Sequence, residues 1–304
     1  MEEIYKVLPE ILTQKIKNIG SNTGISEIRL RVNKNCIVIT SSIEIVLEYI
    51  VSLKDILDIL IKVSKNSIYS IQNDINNGFI VINGGHRIGI CGEAVVLDGN
   101  IKNIKNINSL NIRVAHQIIG CADKILTQII EDGIFYNTLI VSPPGCGKTT
   151  LLRDIIRQIS NGVDYLKLKG LNVGLVDERG EIASVCNGIC NLDVGLRTDV
   201  MSNISKSKGI EMITRSMGVN VIATDEIGTT DDVKAINYAV CSGVSLIFTA
   251  HGNSIKDISL KEGFDKLLEN NIFRNIIILS NKNGPGTIEK MYKLNNDDKL
   301  KNVS

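Results

Sequence analysis

Tryptophan is absent, and phenylalanine and tyrosine bring the aromatic share to only 4%. A core short of rings must be built from Ile, Val and Leu, and no set of stacking aromatics is at hand for single-stranded nucleic acid. Charge is equally uncommitted. The 34 Lys and Arg against 33 Asp and Glu leave a net +1, which gives no basic footprint for nucleic acid or an anionic membrane. No run of about 18 apolar residues occurs, so no direct membrane span is expected. The acidic start, Met1-Glu-Glu-Ile-Tyr-Lys6, lacks an apolar signal core. The seven cysteines contain no C-x-x-C pair. Cys186 and Cys190 have the spacing of one helix face, but no second pair or His cluster completes a zinc site, and free thiols fit a reducing cytoplasm. Proline is scarce as well: of the four, Pro9, Pro143, Pro144 and Pro285, two stand side by side.

That proline pair lies in Ser142-Pro-Pro-Gly-Cys-Gly-Lys-Thr-Thr150. The apolar run Leu139-Ile-Val141 precedes it and a helix-competent segment follows from Lys148. Strand, tight loop, helix N-terminus is the context of a phosphate-binding P-loop. Gly145 and Gly147 let successive N–H groups turn inward on an anion. Lys148 supplies charge for the β and γ phosphates, and the Thr149 hydroxyl is suited to hold Mg²⁺. Ser142, Pro143, Pro144, Cys146 and Thr150 complete the expected ATP-binding stretch. One position departs from G-x-x-x-x-G-K-[ST], since Ser142 stands at the first glycine.

At 304 residues the chain suits two domains. Residues 1–118 read as an α+β domain: a helix over 1–20, strands at 26–32 and 36–40, a helix from 53 reaching towards Ile68 and Ile71, a hairpin turning at Gly84-Gly85, and a short strand at 109–115. A helix over 122–133 leads into the second domain, 119–304. There, apolar strands at 138–142, 172–177, 219–225, 244–250 and 274–280 alternate with helices at 148–160, 207–218, 230–241 and 254–270. Such alternation predicts an α/β, RecA-like P-loop NTPase domain with a mainly parallel sheet. Right-handed crossovers then bring the C-terminal ends of the strands to one edge. The polar residues 295–304 are expected to fray.

Further polar groups end the predicted strands. Asp225 and Glu226 follow an apolar run. Asp225 is suited to direct or outer-sphere contact with Mg²⁺, and Glu226, on the other side of the pleat, to orient water or take its proton. Asp177, Glu178 and Glu181 follow the strand at 172–177; they either extend the carboxylate shell, with Asp177 on the metal and Glu181 in catalysis, or form a turn ion-paired to Arg179. His251 ends the strand at 244–250, where it could sense the γ-phosphate or hydrogen-bond a catalytic carboxylate. Arg197 and Arg215 lie between the acidic motifs, and Arg87 and Arg113 in the first domain; each is a surface ion pair or an arginine finger for the transferring phosphoryl group. A nucleic-acid translocase of RecA type would need the basic groove or aromatics that are lacking. A nucleotide-gated scaffold with negligible turnover is the other alternative to an ATP-hydrolysing motor.

In this order the second-half motifs resemble the boxes of the secretion-superfamily ATPases of type II and type IV secretion and pilus motors. The whole chain is similar to the stage III sporulation protein AA family of endospore formers, through Glu27-Ile-Arg-Leu-Arg-Val32, Gly84-Gly-His-Arg-Ile-Gly-Ile90, Val176-Asp-Glu-Arg-Gly-Glu-Ile-Ala183, Gly195-Leu-Arg-Thr-Asp-Val200 and Arg215-Ser-Met217. The resemblance implies a mother-cell cytoplasmic, Mg²⁺-dependent ATPase, a homo-oligomeric ring and most simply a hexamer. It would dock on membrane channel proteins between mother cell and forespore, with Arg87 and Arg113 reaching the nucleotide.

Overall fold

A computed structural model of the chain describes residues 1–19, 24–40, 43–64, 72–76, 78–97, 99–186, 188–294 and 300–303. These fall into two compact units: Met1–His116 with Ser184–Asn191, and Gln117–Ala183 with Leu192–Ser304. Residues 184–191, assigned to the second domain from sequence, thus group with the first unit.

The first unit opens with α1 (Glu2–Val7) and α2 (Glu10–Lys17) in place of one helix over 1–20. Leu8 is extended because Pro9 follows it, and Pro9 becomes the N-cap of α2. Then come β1 (Ile25–Arg31), β2 (Asn35–Thr40), the unforeseen β3 (Glu44–Ile50), α3 (Leu53–Val63), α4 (Gln72–Asn76), β4 (Phe79–Val81), β5 (Arg87–Leu97) and β6 (Asn100–Arg113). A reciprocal Ser52–Asp55 capping box starts α3. Its expected continuation to Ile68 and Ile71 lies outside the described residues. β6 is longer than the strand expected at 109–115, since it pairs with β5 as far as Leu97↔Asn100. The six-stranded sheet has the order β3-β2-β1-β6-β5-β4. Its inward residues Ile28, Leu30, Val38, Ile88 and Ile112 join Leu12, Ile16, Ile56 and Ile59 of the helices in one core. Each such fully buried aliphatic chain contributes roughly 1.5–3 kcal/mol.

The second unit begins with α5 (Asp123–Ile129), which gives way to the hairpin β7 (Ile130–Glu131) and β8 (Ile134–Phe135) before the expected helix end at 133. β9 (Thr138–Ser142), α6 (Lys148–Asn161) and β10 (Val173–Asp177) follow. The chain then forms the hairpin β11 (Val185–Cys186) and β12 (Ile189–Cys190) within the first unit, where the Asn191 Oδ1 accepts from the Gly84 N–H at 2.8 Å. Cys186 and Cys190 therefore lie on a hairpin, not on a helix face. No cluster of three His, Cys, Asp or Glu suited to a metal occurs among the described residues. The rest is β13 (Thr198–Ser202), α7 (Lys206–Ser216), β14 (Val221–Thr224), α8 (Thr230–Cys241), β15 (Ser245–His251), α9 (Ile255–Ser259), α10 (Phe264–Glu269), β16 (Asn275–Ser280), β17 (Thr287–Leu294) and β18 (Leu300–Asn302). The single helix expected over 254–270 is split, with Gly263 left-handed at φ 81 between the two pieces.

The eight-stranded sheet runs β13-β10-β14-β15-β9-β16-β17-β18. Every pair from β13 to β16 is parallel, and β17 and β18 add an antiparallel edge. The fold is thus the expected α/β class, a mostly parallel sheet preceded by a smaller α+β unit. Part of the tail expected to fray is strand β18, and residues 295–299 lie outside the described residues. Parallel register sets His251 beside Ser142 at the strand tips, one strand away from Thr224. The edge that carries chemistry is therefore built by strand order alone.

Candidate active site

The P-loop spans the tip of β9 and the start of α6. Gly145 and Gly147 take φ of 75° and 82°, values that only glycine adopts freely, and Gly147 is the N-cap of α6. The Gly286 N–H donates to the Cys146 carbonyl at 2.8 Å, so the loop is braced from behind. Ser142 is fully buried, and its hydroxyl donates to the Pro143 carbonyl at 2.8 Å. Its φ is not positive, so the missing glycine costs the turn nothing. Thr149 is half-buried at the second position of α6.

Lys148 is only 6% exposed, and its Nζ donates to the carbonyls of Ser142 at 3.2 Å and Pro143 at 3.3 Å. The third contact of Nζ is His251 Nδ1, at 3.1 Å. An ammonium can only donate, so Nδ1 accepts and the proton of neutral His251 sits on Nε2. That nitrogen lies 2.7 Å from Glu226 Oε1 and donates to it. Burial lowers the Lys148 pKa, opposed by the charge of Glu226. Burial alone would raise the Glu226 pKa, but the His251 hydrogen bond and the charges of Arg179 and Lys148 outweigh it, and the net shift is downward. Glu226 is therefore a carboxylate at neutral pH.

Glu226 is not in the pleat of β14, which ends at Thr224; it stands in the left-handed region at φ 46. Such a conformation in a non-glycine residue persists only where neighbours enforce it. Here the Thr249 hydroxyl accepts from the Glu226 N–H at 2.8 Å and the Thr249 carbonyl from Ile227 N–H at 2.9 Å. Downstream, the Asp232 carboxylate accepts from the Gly228 and Thr229 N–H groups and closes the capping box of α8.

Asp225 is 2% exposed, and its Oδ1 is buried with no hydrogen-bond partner among the described residues. Burial raises its pKa to about 6; Lys206 opposes this, and Asp177, Glu226 and Glu181 add to it. An orphaned, buried carboxylate oxygen fits the sparse protein ligation of Mg²⁺, which takes its remaining ligands from water and phosphate. Because the folded-state pKa lies above the unfolded one, stability falls as pH rises from about 4 to about 6. Asp225→Asn is therefore expected to raise the stability of the nucleotide-free chain at pH 7.5 by on the order of 1–3 kcal/mol, with the gain fading below pH 5. Thermal melts at both pH values check this.

The acidic turn after β10 corrects one expectation. Asp177 is fully buried, and its two oxygens accept N–H bonds from Glu181, Ile182 and Ala183 at 2.9–3.2 Å. Its carboxylate is spent on holding this loop, so it is not a metal ligand in this arrangement. Asp177→Ala would strand these buried donors and is expected to cost about 3 kcal/mol, read as a lowered melting temperature. The backbone carbonyls of Glu181 and Ile182 are gripped by buried Arg153 of α6. The Glu178 side chain pairs with Lys206 rather than extending the shell.

The arginines divide. Arg197 Nη1 donates to the Ser160 carbonyl at 3.0 Å, near the C-terminal end of α6 and about 18 Å along that helix from Lys148. Arg215, exposed in the last turn of α7, is about 14 Å along its helix from Lys206. Both lie towards the opposite edge of the sheet from the P-loop. Arg87 and Arg113 pair in register across β5 and β6 in the first unit, Arg87 over the Phe79 ring and Arg113 facing Glu27. Sequence reasoning missed Thr249 and the contact of Arg179 with Glu226. Arg153, a charge inside the apolar run Leu151-Leu-Arg-Asp-Ile-Ile156, was a signal that could have been used.

Solved structures share this fold. The Legionella pneumophila ATPase DotB superposes with a TM-score of 0.58 at 12% identity, over 97% of this chain and 80% of that one. The pilus retraction motor PilT, solved with ADP, gives 0.56 at 17% identity over 88% and 76%. The fold is that of the secretion-type P-loop ATPases. The model of the sporulation stage III protein AA family matches residues 1–298. Stage III sporulation protein AA of Bacillus subtilis (strain 168) is 36% identical over 294 residues, 96% of this chain and 95% of that protein. The chain belongs to this family.

Proposed function

We propose that the chain binds ATP with Mg²⁺ at residues 142–150 and hydrolyses it as a motor of secretion type. The observation that carries this reading is the chain Lys148–His251–Glu226, which joins the phosphate-loop lysine to a candidate base through one imidazole. A γ-phosphate would draw Lys148 Nζ away from the loop carbonyls and free His251 Nδ1. Glu226 then takes the proton of an attacking water as the new P–O bond forms and the bond to the β,γ-bridging oxygen breaks, releasing ADP and phosphate. His251 keeps Glu226 oriented throughout. Thr149 and Asp225 would hold Mg²⁺, which neutralises charge on the β and γ oxygens when bound.

The work of hydrolysis would go to assembly of, or transport through, a channel between mother cell and forespore, from the mother-cell cytoplasm. No helix among the described residues is long and apolar enough to cross a membrane, and membrane attachment would run through partner proteins. A homo-oligomeric ring, most simply a hexamer, would let Arg87, Arg113, Arg197 or Arg215 act on a neighbour's nucleotide. The test is particle mass with and without a non-hydrolysable ATP analogue. A ring mass in its presence is expected, and a monomer under both conditions counts against the motor.

A further inference from the structure

The loop after β10 is fixed from two sides. The Asp177 carbonyl accepts from the Gly180 N–H at 3.2 Å to close the turn, and Gly180 is left-handed at φ 65. The Asp177 carboxylate and Arg153 then fasten residues 181–183 to the body of the unit. Arg179 therefore rides on a rigid turn and not on a loose surface loop. Its Nη1 donates to Glu226 Oε2 at 3.0 Å, while His251 Nε2 holds Oε1 at 2.7 Å. Each oxygen of the carboxylate has its own donor, from two different strand tips.

We propose that Arg179 is a positioning residue for hydrolysis, setting the plane of the Glu226 carboxylate so that one oxygen faces the attacking water. The inference rests on the ATP-hydrolysis reading given above. His251 alone holds the carboxylate by one hydrogen bond, about which the group can still rock. A second donor on a rigid turn removes that freedom. A base must sit within hydrogen-bond reach of the proton it takes, and small misplacements are costly in rate. The Arg179 side chain is 57% exposed, so the pair adds little to folding and its loss leaves the fold intact.

The experiment compares wild type, Arg179→Ala and Arg179→Lys in steady-state phosphate release with Mg²⁺ and ATP. Titration with a fluorescent ATP analogue and thermal melts accompany it. Arg179→Ala is expected to lower kcat by roughly tenfold to hundredfold while nucleotide affinity stays within about twofold. Arg179→Lys, which still offers a donor to Oε2, is expected to recover much of that loss. A kcat for the alanine variant within about twofold of wild type overturns the proposal, as does a loss confined to affinity or a lysine variant no better than alanine. Wild type that binds ATP without releasing phosphate sinks the hydrolytic reading itself, a result distinct from an active wild type with an equally active Arg179→Ala.

Discussion

Replacing Lys148 by alanine is expected to abolish useful nucleotide binding, with affinity falling by roughly 30-fold to several thousandfold. In the nucleotide-free site the ammonium is buried and satisfied by the carbonyls of Ser142 and Pro143 and by His251 Nδ1. These are neutral acceptors, which a phosphate oxygen outcompetes because both charges then share one hydrogen bond. The loop itself does not depend on the lysine: Gly145 and Gly147 set its path, and the Gly286 N–H braces the Cys146 carbonyl. Alanine at the first position of α6 is a good helix former, so thermal stability should change little. Titration with a fluorescent ATP analogue, beside a melting curve, separates lost binding from lost fold. Affinity within threefold of wild type in a folded Lys148→Ala protein would contradict the phosphate-cradle reading.

Glu226→Gln should do the opposite: ATP stays bound and turnover falls by about 10²- to 10⁴-fold. Glutamine preserves the length of the side chain and its carbonyl oxygen can still accept from His251 Nε2. What it lacks is the negative charge and the second acceptor that takes the Arg179 donor. Thr249 continues to hold the backbone in its left-handed conformation, because those bonds run to main-chain N–H groups. Unchanged phosphate release in Glu226→Gln would remove the residue from the chemistry and leave its strained backbone unexplained. Binding and turnover thus fail separately in two variants, which a single damaged fold could not do.

How much of this was legible in the sequence depends on range. The P-loop is a local signal, since strand, glycine turn and helix start lie within one short stretch, and the loop formed as read. The Asp225–Glu226 pair was legible as the end of an apolar run, but the left-handed φ of Glu226 was not; it is imposed by Thr249 from the neighbouring strand. Asp177 shows the limit of counting carboxylates at strand tips. Whether the next residues turn back to offer their N–H groups decides between ligand and cap, and nothing in the spacing of acids says which. The position of Arg197 was not legible because β13 is a weak pattern: a residue just before a parallel strand sits at the edge away from the P-loop of its own chain. The long β5–β6 pairing and the antiparallel pair β17–β18 escaped for a related reason. Their residues alternate weakly, and it is pairing with the adjacent strand of the hairpin, not a periodic pattern, that makes them strands.

A motor must hydrolyse ATP at this site and not only hold it. The most direct measurement is phosphate release by the purified wild-type chain with ATP and Mg²⁺, run beside Glu226→Gln under conditions where both are saturated with nucleotide. Sustained, Mg²⁺-dependent release over many turnovers by wild type, and near-background release by Glu226→Gln, is the predicted result. Saturated wild type that releases no more phosphate than Glu226→Gln would contradict the account and make the protein a nucleotide-gated scaffold.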